Sequence, residues 1–108
     1  VKKAGERIGA ILGAGGEQKI VRFLGYGVYE GDEIPLTACG WMAKLLVESS
    51  VSNPKLRLDN GDVVWGCECW WGREHEVAEA VEEYRRDGYI VVNVRIEEIR
   101  AACARIEK

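Results

Sequence analysis

The hydrophobic positions change period several times along the chain, and each change marks an element. Ile8, Ile11 and Leu12 stand at helical spacing and predict a helix over 4–13, stopped by Gly13, Gly15 and Gly16. The run KIVRFLGYGVY, 19–29, is rich in β-branched and aromatic residues and predicts a strand. Gly25 and Gly27 interrupt it two residues apart, the mark of a bulge or of a close approach to the backbone. Glu30-Gly31-Asp32 reads as a turn into a short extended piece ending at Pro35. Thr37 has the chemistry of an N-cap, with Leu36 placed to pack on Trp41. The helix behind it, 38–48, offers Trp41, Met42, Leu45 and Leu46 to a core.

Asn60-Gly61 lies between two alternating runs in 55–71, KLRLDNGDVVWGCECWW, and predicts a hairpin with a two-residue turn. Leu58 then opposes Val63, Arg57 opposes Val64, and Leu56 opposes Trp65. One face reads Leu56, Leu58, Val63, Trp65, Cys67, Cys69 and Trp71, and is a core face by composition. The other reads Arg57, Asp59, Asp62, Val64, Gly66, Glu68 and Trp70. A helix over 73–87 follows, with Val77, Ala80, Val81 and Tyr84 as its stripe, glutamates early, Arg85 and Arg86 late, and Gly88 as its left-handed terminator. YIVVNV, 89–94, reads as a central strand apolar on both faces. A last helix, 96–107, carries Ile96, Ile99, Cys103 and Ile106 on one side. With two hairpins, a central strand and three to four helices, the order predicts an α+β fold with a small, mainly antiparallel sheet, formed by 1–108 as a single globular domain.

Composition agrees with a folded domain: of 108 residues, 47% are hydrophobic and 31% charged. A net charge of −3 argues against the basic stripe that nucleic-acid binding requires. No apolar run approaches the roughly 18 residues of a membrane span, and the N-terminus lacks a secretory pattern, so a cytoplasmic protein without membrane contact is expected.

The sequence offers little catalytic chemistry. Gly13-Ala14-Gly15 opens like a dinucleotide-binding loop, but Gln18 occupies the third glycine position and a strand pattern follows, where a helix N-terminus would be needed. Lys19 is followed by Ile20, which excludes a P-loop. The metalloprotease and hydrolase motifs H-E-x-x-H and G-x-S-x-G are absent. Cys67 and Cys69, with Cys39 and His75, form the alternative of a zinc site or a thiol-active pair. Two sulfurs on one strand face stand about 7 Å apart, however, and the C-x₂-C knuckle is missing. A third alternative is an enzyme whose residues converge only in the fold.

Three of the four tryptophans, Trp65, Trp70 and Trp71, fall in one short stretch. The alternation sends Trp70 to the face opposite Trp65 and Trp71, beside Glu68 and near Arg57. The chain therefore reads as a non-catalytic binding or regulatory module, dimeric and without cofactor. Its expected surface is Tyr26, Tyr29, Arg57, Glu68 and Trp70, meeting a protein partner, a second copy or a small planar ligand. The glycines at 25, 27 and 66 are expected to leave gaps through which a partner's ring could reach the backbone.

Overall fold

A computed structural model describes residues 3–106 and, for side chains, residues 3–103. Six strands and three helices follow one another: β1 Arg7–Gly15, β2 Ile20–Glu33, α1 Trp41–Glu48, β3 Asn53–Leu58, β4 Val63–Trp65, β5 Trp70–Arg73, α2 Glu74–Arg86, β6 Ile90–Asn93 and α3 Ile96–Ile106. The sheet order is β4-β3-β2-β1-β5, antiparallel throughout, and β6 adds to β2 in parallel. This is the expected α+β architecture.

The sheet separates two cores. On one face Ile8, Ala10, Leu24, Leu56, Leu58 and Val64 pack with Ile96 of α3. On the other, Ile11 and Val21 meet Val77 and Val81 of α2. Residues 8–11 are consequently buried on both sides. This corrects the helix expected at 4–13: a strand covered on both faces is a continuous apolar run, and helical spacing can be picked out of it by chance. Residues 13–15 do not stop a helix; they end β1 on the way into β2, forming one long hairpin.

Two bulges shape β2. Ala10 pairs with Gly25 and Ile11 with Phe23, which leaves Leu24 as the extra residue, and Gly25 takes a φ of 134°. The extra residue reverses the alternation, so Phe23 and Tyr26 both face α2, their rings edge to face at 5.0 Å. The turn expected at Glu30-Gly31-Asp32 is a second bulge, between Tyr29 and Asp32 in the pairing with β3, and β2 runs on through it to Glu33.

The Asn60-Gly61 hairpin forms, but one residue out of the expected register: Leu56 opposes Val64 and Arg57 opposes Val63. Gly61 N–H donates to the Leu58 carbonyl and Leu58 N–H to that of Asp62, so the loop has three residues, with Gly61 left-handed at its end. A slip of one residue exchanges the faces. Val64 is therefore the core residue, in place of Val63. The strand also stops at Trp65, and a 3₁₀ turn over Gly66–Glu68 breaks the predicted alternation before β5 pairs with β1. The second half of the expected hairpin face thus does not exist as one face.

α2 matches the expected helix closely. It ends in Gly88 at φ 88°, with Gly88 N–H on the Arg85 carbonyl and Tyr89 N–H on that of Tyr84. The Tyr84 and Tyr89 rings, 5.0 Å apart, close the motif with the apolar contact such ends favour. β6 is an edge strand, not a central one: it has β2 on one side only, and Ile90 and Val92 are exposed. α1 departs furthest. Gly40, not Thr37, precedes it, no side chain caps it, and only Ala43 is buried, while Trp41, Met42, Leu45 and Leu36 face solvent. Thr37 Oγ1 instead accepts a hydrogen bond of 2.8 Å from Trp65 Nε1. Ile96 and Ile99 of α3 pack as predicted, and the side chain of Ile106 lies outside the described residues.

Candidate functional site

The five residues expected to share a surface are divided by the sheet. Tyr26 faces α2, against Phe23. Tyr29 lies on the opposite face, its ring stacked on Trp71 at 5.6 Å and its hydroxyl donating to Asp32 at 2.5 Å. That bond to the carboxylate raises the Tyr29 hydroxyl above its ordinary range. Arg57 is half-exposed and bonds Glu30 through Nε at 3.0 Å.

Glu68 is not a surface residue; its side chain is 2% exposed. The 3₁₀ turn carries it inward, where its carboxylate accepts four hydrogen bonds. Oε1 takes Trp65 N–H at 3.1 Å and Arg100 Nη2 at 2.8 Å, and Oε2 takes Cys39 N–H at 3.2 Å and Arg100 Nε at 3.0 Å. Arg100 also donates to the Val63 carbonyl. One buried ion pair thus ties α3 to the hairpin and to the segment before α1. A second pair fastens the residue just before α3 to the hairpin loop, with Arg95 donating from both Nε and Nη2 to Asp62, which it holds below the usual carboxylate range.

Cys39, Cys67 and Cys69 lie near this pair, and burial raises each of their thiols. Burial, with Cys103 and Glu68 nearby, pushes the Cys39 thiol up to about 12. Cys69 donates to the Trp65 carbonyl at 3.5 Å, and its burial, with Glu68 and Cys67 nearby, likewise pushes it up to about 12. Cys67 is raised for the same first reason, burial. His75 stands instead on the first turn of α2, in a shallow depression with Glu6, Arg7, Arg73 and Glu74. The alternative ligand set Cys39, Cys67, Cys69 and His75 is therefore not assembled, and no group of three metal-ligating side chains occurs among the described residues. Thiolate is the reactive species. Cys39 and Cys69 are accordingly expected to resist iodoacetamide at about pH 8 in the folded protein and to react on unfolding, which mass spectrometry of the alkylated chain reads directly.

Of the three strand glycines, Gly27 and Gly66 give a ligand no access, because the chain fills those gaps itself, whereas Gly25 lines a depression of about 330 Å³ with Leu58 and Asn93. A Cβ on Gly27 would lie 2.1 Å from the Arg57 carbonyl oxygen, and one on Gly66 would lie 3.0 Å from Trp71 Nε1 and 3.1 Å from Pro54.

Of the three hairpin tryptophans Trp70 is the open one, 53% exposed, while Trp65 is buried and Trp71 is packed against the core around Leu56 and Ile96. It stands on the edge strand β5 opposite Ile11, and α2 begins four residues later. Its ring forms one wall of a groove of about 480 Å³, with Ile11, Gly13 and Ala14 of β1 on one side and Ala80, Glu83 and Tyr84 of α2 on the other. Glu76, Glu79 and Arg86 extend that wall along the helix. Glu76, Glu79 and Glu83 form no ion pair among the described residues. Sequence reading found Trp70 through the alternation at 69–71. It missed the helix carboxylates, which lie beside Trp70 only because β5 runs antiparallel to β1 and α2 folds back over that edge. The chain matches no protein-family model, no curated protein and no solved structure.

Proposed function

We propose that the chain is a non-catalytic binding or regulatory module of the cytoplasm, working as a homodimer. It takes a cationic side chain of a protein partner, arginine or lysine, into the groove beside Trp70. The half-exposed Trp70 ring carries this reading, because it walls a concave groove whose helix side bears carboxylates that form no ion pair among the described residues. An indole face attracts a guanidinium or ammonium group through its quadrupole, and Glu79 and Glu83 supply the counter-charge. The concavity also favours an inserted side chain over a flat contact.

The test is calorimetric titration with a short arginine-containing peptide and with the same peptide carrying citrulline, the neutral isostere. The arginine peptide is expected to bind and the citrulline one to bind weakly or not at all. Trp70→Ala is expected to lower affinity by roughly fivefold or more, given the scale of cation–π contacts, while the melting temperature stays within a few degrees. Equal binding of both peptides would remove the cationic reading, and a collapse of stability in Trp70→Ala would place the ring in the core.

A further inference from the structure

α1 presents its apolar side chains outward. At 100° per residue, Trp41, Leu45 and Met42 fall on one arc of the helix, flanked by Glu48 and Lys44, and the only buried position, Ala43, lies opposite. Ile34 and Leu36 lead into the helix, Val51 follows it, and all three are exposed. Leu36 at 76% and Trp41 at 69% are the most exposed of these large apolar side chains. A monomer rarely leaves more than a few hundred Å² of contiguous apolar surface open, and this segment exposes on the order of 700 Å².

We infer that this face is the surface on which a second copy of the chain docks, α1 against α1, antiparallel about a two-fold axis. Area and charge together select that occupant. Two such faces would remove on the order of 1,400 Å² from water, within the roughly 1,200–2,000 Å² of a stable interface. Lys44 and Glu48 lie one helical turn apart on the same flank of the apolar arc. A two-fold axis level with Leu46 places each Lys44 beside the other copy's Glu48, so the flank is its own complement. The same axis sets the two Leu45 side chains together at the centre with a Trp41 ring toward each end, giving aromatic anchors inside a polar rim. A bilayer surface is a poorer occupant, because interfacial helices carry a row of cations and here Lys44 stands with Glu48 in a chain of net charge −3. This deepens the homodimer part of the function proposed above and uses none of the residues of the Trp70 groove.

Sedimentation equilibrium of the full chain, from about 1 to about 100 µM, tests it. The unaltered chain is expected to dimerise within that range. Leu45→Glu, at an exposed position, is expected to weaken dimerisation by about tenfold or more with an unchanged melting temperature, and Trp41→Ser provides an independent second disruption. Lys44→Glu should weaken it through like charge, and adding Glu48→Lys to that variant should restore it. A monomer at about 100 µM overturns the proposal and leaves the face to a different protein. Dimers indifferent to both apolar variants overturn it too, as does a charge swap that fails to recover what Lys44→Glu loses. Leu45→Glu should still bind the arginine peptide and Trp70→Ala should still dimerise, so failure of the dimer and failure of the groove are read separately.

Discussion

Arg100→Ala is expected to lower the unfolding free energy by about 3–5 kcal/mol, measured by urea denaturation at neutral pH. The cost comes from what is left behind. Glu68 keeps a carboxylate that is 2% exposed, with the Trp65 and Cys39 N–H groups still donating to it but without the cation that balanced it. An uncompensated buried charge is more expensive than the net contribution of the pair it came from. Arg100→Lys should recover only part of the loss, since an ammonium cannot reproduce the two parallel bonds that Nε and Nη2 make to the two carboxylate oxygens. The effect should also reach beyond α3. Glu68 holds the backbone at Cys39, so the segment leading to α1 loses an anchor when its charge is no longer fixed. Amide exchange in Arg100→Ala should accelerate around residue 39 as well as in α3. A loss confined to α3 would separate the two ends of this connection.

Gly27→Ala is expected to be as damaging or worse. The added methyl would lie 2.1 Å from the Arg57 carbonyl oxygen, 2.6 Å from Leu58 Cα and 2.8 Å from the Arg57 carbonyl carbon, all of them backbone. No rotamer change relieves such contacts, so β2 and β3 must separate where Gly27 pairs with Leu58. Leu56 and Leu58, both fully packed, are carried by that pairing. The expected loss exceeds about 4 kcal/mol, a large part of the 5–15 kcal/mol that holds a domain of this size together. The variant should therefore be recovered unfolded or aggregated. Gly13→Ala is the matched control, because a Cβ there meets nothing within 4 Å, and it should leave the denaturation midpoint nearly unchanged.

The sequence reading succeeded where a local rule acted alone. α2 was legible from its stripe, its charge order and Gly88, all decided within one helix. It failed where two distant segments settle the outcome. β1 looks helical in isolation because α2 covers one of its faces and α3 helps cover the other, so no polar alternation marks it as a strand. The hairpin register turned on whether Asp59 belonged to the strand or to the loop, and that single residue decided which of Val63 and Val64 is buried. Glu68 looked like a surface charge because its partner, Arg100, lies 32 residues further on in a different element. For the site, the isolation of Trp70 was legible from alternation, whereas the carboxylates beside it depend on how α2 packs. The outward face of α1 was read as core for a physical reason: a helix whose apolar side chains face outward has the same apolar pattern as one that meets its own sheet.

The parallel pairing of β6 with β2 bears on how the chain reaches this structure. Ile20 must find Ile90, and Phe23 must find Asn93, across most of the length of the molecule. The β1–β2 and β3–β4 hairpins close over short loops and can form early. β6, however, has nothing to add to until β2 is in place and α2 has turned the chain back. The entropy of closing that long loop falls due before its contacts are made, so β6 is expected to dock late and to slow folding. During that interval the free edge of β2 at residues 20–23 is an unpaired strand, and it is the point at which a newly made chain is most exposed to pairing with a neighbour.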